Sequence, residues 1–251
     1  MGTFKGLEYG IEQGNGKPII FIHGWLGSKK FWKLITPYLD LDNPVIRYDQ
    51  RCHGGSGCKP FTIRELAKDL NEMIEELELD NPILVGHSMG GMTALQYAAE
   101  YENFSGLVLL ATSADTPDPE NKSVEYFLEQ YNELEKSEWA EEITENYVAE
   151  SEKPEIREMT RRELQKADDR PIRNGLKAMI EYDVTEQLGD VEKPAAVVAA
   201  EKDGAITQDK SEQVAELLDC ELKTLNTSHQ MLPEKPEKVA GIIDSFVKSV
   251  S

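Results

Sequence analysis

At 251 residues the chain can bury a substantial core as one α/β domain with an insertion. Its 47 acidic against 27 basic residues leave a formal charge of −20, a field that repels phosphate backbones and anionic lipid, so no nucleic-acid partner is expected. No run of 18 or more apolar residues occurs and Met1 to Gly10 holds no segment of the signal-peptide kind, so no membrane partner and a cytoplasmic location are expected.

In chain order, a first strand is expected near Phe4 to Ile11, with none ahead of it because the N-terminus is short. Further strands are expected at Pro18 to Ile22, Pro44 to Tyr48, Pro82 to Val85, Phe104 to Leu110, Pro194 to Ala200 and Glu221 to Leu225. Ile63, Leu66, Ala67, Leu70, Met73, Ile74 and Leu77 recur at three and four and predict a helix. Val239, Ile242, Ile243, Phe246, Val247 and Val250 predict another at the C-terminus. This alternation implies an α/β fold, a mostly parallel sheet with helices on both faces.

Between Leu110 and Pro194 the alternation stops. The stretch is rich in Glu and holds two apolar helical stripes, Val124, Phe127, Leu128, Tyr131 and Leu134, then Ile172, Leu176, Met179 and Ile180. Pro154 and Pro171 suit first helical turns. Residues 1–113 and 190–251 are therefore expected to form the core and 114–189 a helical insertion. Five of the eight arginines, Arg157, Arg161, Arg162, Arg170 and Arg173, fall in it. Glu158 stands four before Arg162, the favourable orientation for a helix-surface pair, so surface pairing is expected over anion binding.

Cys52, Cys58 and Cys220 are odd in number and scattered, which predicts reduced thiols. Cys52, His53 and Cys58 lack a fourth metal ligand, and no metal is expected.

Gly86-His87-Ser88-Met89-Gly90 follows directly on one expected strand and precedes a helical stretch. A serine between glycines at a strand-to-helix turn is held with its hydroxyl above the sheet, so Ser88 is the candidate nucleophile. A hydroxyl needs a base, and the base needs a carboxylate that sets its tautomer. Of His23, His53, His87 and His229, only His229 lies late enough in the chain to follow an acid. Asp203, after the strand ending at Ala200 and before Gly204, is the preferred acid, with Asp115 after Leu110 as its rival. Backbone N–H groups of Met89, at the start of the next helix, and Trp25, in His23-Gly24-Trp25-Leu26-Gly27-Ser28, are the expected oxyanion donors.

The ordered series His23-Gly24-Trp25, Asp49-Gln50-Arg51-Cys52-His53-Gly54-Gly55-Ser56-Gly57, the Ser88 motif, Lys202-Asp203 and His229 resembles the α/β-hydrolase superfamily. It is similar to the small cap-bearing enzymes that include carboxylesterases, lactonases and metal-free perhydrolases. Cys52 and Ser228 depart from the family, which often has glycine at both places, as does Ala200. The resemblance implies that 114–189 is a cap over Ser88, that Phe127, Tyr131 and Trp139 line a substrate pocket, and that no cofactor is needed. It implies hydrolysis of a small carboxylic ester or thioester through an acyl-enzyme on Ser88. Perhydrolysis, carbon–carbon bond hydrolysis, a menaquinone-pathway lyase step and a non-catalytic small-molecule receptor share the scaffold and stay open. The oligomeric state is not legible.

Overall fold

A proline has no N–H to offer a sheet, so it fits at the margin of a strand and not inside one. Pro18, Pro44, Pro82 and Pro194 each stand one residue ahead of a strand and contribute only a carbonyl: Ile19 N–H donates to Pro44, Ile83 to Pro18, Ser105 to Pro82 and Leu107 to Pro194, at 2.8–3.0 Å. The computed structural model describes residues 1–117, 123–148, 151 and 153–250. Residues 118–122, 149, 150 and 152 of the expected cap lie outside the described residues.

Among the described residues the strands are β1 (Gly2–Phe4), β2 (Leu7–Glu12), β3 (Ile19–Ile22), β4 (Val45–Tyr48), β5 (Ile83–His87), β6 (Gly106–Leu110), β7 (Ala195–Ala200) and β8 (Leu222–Leu225). They form one sheet in the order β1-β2-β4-β3-β5-β6-β7-β8. From β4 to β8 every pairing is parallel, and β1 and β2 join antiparallel at one edge. The sheet is the mostly parallel one expected, flanked by helices. The N-terminus corrects the reading: instead of one strand from Phe4 to Ile11 there are two. Lys5 and Gly6, at φ 46° and 88°, make a two-residue turn that places Phe4 opposite Leu7. Positive φ at both central positions matches the twist of the flanking strands.

The helices are α1 (Ile63–Glu76), α2 (Met89–Glu100), α3 (Val124–Glu133), α4 (Lys136–Val148), α5 (Pro154–Lys166), α6 (Asp169–Ile180), α7 (Gln208–Leu217), α8 (Met231–Glu234) and α9 (Pro236–Val250). Thr62 caps α1, accepting from Glu65 N–H at 3.3 Å while the Glu65 carboxylate accepts from Thr62 N–H at 2.8 Å. Side chains alternate across the sheet. Ile20 and Ile22 pack with α1, α2, α7 and the cap, while Ile19 and Phe21 pack with α8, α9 and Trp32. Both layers are buried, which is why β3 reads as an unbroken apolar run.

Helices α3 to α6 form the cap. Its entry and exit are stitched together: Val184 N–H donates to Ala114 O at 2.8 Å, Asp115 and Asp183 form an antiparallel bridge, and the Thr116 hydroxyl donates to Ile180 O at 3.0 Å. On its far side the Lys153 ammonium donates to Glu234 O at 2.7 Å, fastening α5 to α8.

The expectation of three free thiols is also corrected. The turn from Gln50 to Gly57 doubles back, with Cys52 N–H donating to Gly57 O at 3.0 Å, and Cys52 is joined to Cys58 in a disulfide. Cys220 is free. Cys52 has φ 65°, a left-handed conformation that glycine adopts without steric cost and other residues seldom do.

Candidate active site

Ser88 stands between β5 and α2 at φ 53° and ψ −125°, a conformation that costs about 1–3 kcal/mol for a residue with a side chain. The surroundings hold it there. Ser88 N–H donates to Leu110 O at 2.9 Å, and Ser88 O accepts from Gly91 N–H at 2.7 Å and the Thr112 hydroxyl at 2.8 Å. A Cβ on Gly86 would stand 2.5 Å from Gly90 O, and one on Gly90 would run into Ile22 O, so the turn closes only with glycine at both places.

His229 follows β8, and its Nε2 lies 3.0 Å from Ser88 Oγ. Its Nδ1 lies 2.8 Å from Asp203 Oδ2, and the Asp203 side chain is fully enclosed. The other carboxylate oxygen of Asp203 accepts from Ala205 N–H at 2.8 Å and Ile206 N–H at 2.9 Å. That pairing fixes the carboxylate plane and leaves one oxygen for the imidazole. Because a carboxylate only accepts, Nδ1 of His229 carries a proton and Nε2 is free to accept one from Ser88.

Asp115, the rival acid, faces elsewhere. Both of its carboxylate oxygens accept from Lys210 Nζ at 2.8 Å. Ser228, where the family often has glycine, donates its hydroxyl to Glu234 Oε1 at 2.5 Å, and its N–H meets Glu234 Oε2 at 3.2 Å. The substitution thus ties down the loop that presents His229.

The other histidines brace the site. His87 donates from Nε2 to His229 O at 3.0 Å, and burial, helped by the neighbouring His229, pushes its pKa down to about 3. His53 is likewise pushed down to about 3 by burial, with His23 adding to it. His23 accepts from Gln50 N–H at Nε2 (3.0 Å) and donates from Nδ1 to Gly24 O (2.8 Å), and burial lowers its pKa as well. Gln50 then donates to His23 O at 2.7 Å and accepts from Thr93 at 2.9 Å. This network supports the loop carrying Trp25, which turns through Gly27 N–H to Gly24 O at 3.1 Å. Gly24 lies close against the Ser88 turn: a Cβ there would meet Ser88 Cβ and His87 Nδ1 at 3.1 Å. Met89 opens α2, where an N–H has no acceptor within the helix.

The Trp25 side chain points into the cap. Its indole N–H donates to Pro171 O at 3.0 Å, and its ring meets Trp139 and Tyr147 edge-on at 6.1 and 6.4 Å. Gly175 of α6 lies so close to that ring that any side chain there would collide with it.

Two spaces adjoin Ser88. A cleft of about 500 Å³, open to solvent, runs past Trp25, Phe31, Met159, Leu164 and His229. A smaller void of about 10 Å³ is lined by Pro117, Val124, Phe127, Leu176, Met179 and Ile206. Of the three aromatic residues expected to line a pocket, Phe127 lines the void, whereas Tyr131 and Trp139 line neither space. Trp139 is fully buried and donates from its indole to Phe127 O at 3.0 Å. Tyr131 donates to Asp169 Oδ1 at 2.5 Å and lies under the Arg173 guanidinium. Both are held in cap packing, where their polar atoms find partners.

Tyr147 was not foreseen. It lines both spaces, its ring sits 5.0 Å from that of His229, and its carbonyl accepts from His229 N–H at 3.2 Å. Burial, with nearby Asp203, raises its phenol pKa. Leu176 and Met179 belong to an apolar stripe visible in the sequence, and that spacing was the available signal.

No arginine lines either space among the described residues. Arg157 pairs with Glu141 and Glu145, and Arg161 and Arg162 with Glu158.

The alpha/beta hydrolase fold family matches residues 17–236. The chain belongs to this family. A 3-oxoadipate enol-lactonase 1 from Acinetobacter baylyi is 25% identical to this α/β-hydrolase over 98% of the chain and 94% of its own length. A probable alcohol acetyltransferase from Wickerhamomyces anomalus is 33% identical over 48% of the chain, a match that takes in only 36% of that longer relative. Among solved structures, a thermophilic esterase from Thermogutta terrifontis superposes with a TM-score of 0.84 at 26% identity, covering 97% of this chain and 93% of that one. Among the described residues no helix is long and apolar enough to cross a membrane.

Proposed function

We propose that this α/β-hydrolase is a serine hydrolase that cleaves a small carboxylic ester or thioester. The observation that carries the reading is the continuous series from Ser88 Oγ through His229 to the enclosed Asp203, at 3.0 and 2.8 Å. In the proposed reaction Ser88 Oγ attacks the carbonyl carbon while His229 Nε2 takes its proton. The backbone N–H groups of Trp25 and Met89 stabilise the oxygen that becomes negative. Collapse breaks the bond to the leaving oxygen or sulfur, which takes the proton from His229. Water then attacks the acyl-enzyme with His229 again as base, releasing the carboxylic acid and restoring Ser88. Asp203 stays ionised throughout and holds the imidazolium.

The likeness to an enol-lactonase and an esterase over nearly the whole chain supports hydrolysis at an acyl carbon. The surface pairing of Arg157, Arg161 and Arg162, and the contacts of Arg173 with Asn132 and Tyr131, support an uncharged substrate over an anionic one. Treatment with a fluorophosphonate and mapping of the labelled peptide tests the assignment: Ser88 labels in the parent, and neither Ser88→Ala nor boiled protein labels. Full p-nitrophenyl acetate turnover by Ser88→Ala would end the proposal.

A further inference from the structure

The tetrahedral carbon formed on Ser88 Oγ carries three other groups: the developing oxyanion, the leaving oxygen and the rest of the acyl chain. Each must go somewhere different. The leaving oxygen receives its proton from His229, so the group attached to it lies on the side that His229 faces. His229 and the Gly24-Trp25 loop line the large cleft, and none of them lines the small void. The void, by elimination, receives the acyl substituent.

The cleft is much the larger of the two spaces, about 500 against about 10 Å³. The void has room for about one water or one methyl group. Its walls are not free to retreat, because Phe127, Leu176, Met179 and Ile206 are all buried and packed against other core or cap residues. The cleft is walled mostly by apolar side chains, Trp25, Leu26, Phe31, Leu34, Met159 and Leu164, with Lys30 and Glu163 giving opposite charges at its rim. Tyr147, like Ser88, borders both spaces.

Resting on the serine-hydrolase reading above, we infer that the substrate is an ester of a very short acyl group, acetyl in size, with a bulky, largely apolar and uncharged alcohol. Phe127, Leu176 and Met179 set the acyl limit, and Tyr147 keeps the acyl chain out of the cleft.

The test uses the full chain and two ester series. In the first, p-nitrophenyl esters run from acetate to octanoate; kcat/KM is expected to fall at least 10-fold between acetate and hexanoate. In the second, acetates of methanol and 2-phenylethanol are compared, and the bulky alcohol is expected to be favoured at least 10-fold. Met179→Ala and Tyr147→Ala are each expected to raise the hexanoate-to-acetate ratio at least 10-fold, by enlarging the void or opening it to the cleft. The parent's own profile decides the matter if either variant fails to fold. A parent optimum at hexanoate or longer, or equal rates on the two acetates, would overturn the size assignment while fluorophosphonate labelling of Ser88 kept the serine-hydrolase reading standing. No labelling and no turnover of any ester would overturn both.

Discussion

The core and the cap differ in the charged groups they bury. The core carries surface pairs such as Lys5–Glu72 and Lys248–Asp40, but it also encloses charged and titratable side chains: Lys29 pairs with Asp49 at 2.5 Å, and His23, His53, His87 and His229 are all buried. The cap has no histidine, and its Arg–Glu pairs lie on helix surfaces, partly or largely exposed. Exposed pairs are worth little and are screened by salt, so the cap is held by apolar packing and a few directed bonds from Trp25, Trp139 and Lys153. Buried polar contacts define geometry around Ser88, whereas the ion pairs of the cap surface add little to its geometry. The difference predicts that chemistry breaks with core substitutions and that selectivity and stability move with cap substitutions.

The sharpest break is at the triad. Ser88→Ala and His229→Ala should each lower kcat by about 10⁴-fold or more, with the double variant little worse than either, because the residues act on one proton transfer. Multiplicative losses in steady-state kinetics would contradict that. Asp203→Asn should cost on the order of 10⁴-fold in kcat with folding intact, since an amide favours the wrong imidazole tautomer. Asp115→Asn, which removes only a salt bridge to Lys210, should stay within a few-fold of the parent. Equal losses in the two would show that geometry at Asp203 is not what matters.

Acid should strike the core first. His53 and His87 titrate near 3 in the folded chain against an ordinary 6.5, and His23 is also depressed. Between those values the unfolded chain binds protons that the folded chain refuses. The stability they contribute is therefore complete above about pH 6.5 and is lost as pH falls toward 3, at up to about 1.4 kcal/mol per pH unit for each group. Thermal unfolding followed from pH 7.5 to 4.5 should show a steadily falling Tm, and raising pH from 7 to 8.5 should leave these three groups without effect. A Tm independent of pH down to 4.5 would refute their burial as neutral rings.

Two cap changes sharpen the comparison from the other side. Gly175→Ala must push the Trp25 ring or α6 aside; kcat/KM is expected to drop about 10-fold because the displaced side chain belongs to the loop proposed to hold the oxyanion. Unchanged kinetics would show that loop and cap move independently. Trp139→Phe removes the bond to Phe127 O and some buried volume, at about 2 kcal/mol or ~4–8 °C in Tm, with the acyl-length profile unchanged. A shifted profile at constant Tm would make Trp139 a pocket residue after all.

These contrasts explain what could be read from the chain alone. Parallel strands buried on both faces appear as apolar runs opened by proline, and the turn at Ser88 needs glycine on either side, so each leaves a local mark. Asp203 stood out, with Asp115 as its rival, because strand ends place side chains predictably, and His229 because it alone of the four histidines follows a candidate acid in chain order. The Lys5-Gly6 turn was hidden because a single glycine interrupts an otherwise continuous alternation, and the Cys52–Cys58 pairing depends on a doubled-back turn that spacing does not encode. Tyr131 and Trp139 carry the same apolar signature whether they face a pocket or a neighbouring helix; the direction was decided by partners, Asp169 and Phe127 O, distant in sequence. Tyr147, at the end of a weakly amphipathic helix, had nothing to mark it.

The prolines ahead of β3, β4, β5 and β7 all lie at one rim of the sheet, because those strands run the same way, and Ser88, Asp203 and His229 follow strands at the opposite rim. Like a loom clamped along one bar, the sheet has its register anchored where no chemistry occurs. The working end can then be rewoven. A replacement of the segment between Thr116 and Asp183 by another insertion, with the Ala114–Val184 bond kept, would leave the anchored bar untouched, and would have to supply its own partner for His229 N–H in place of Tyr147 O.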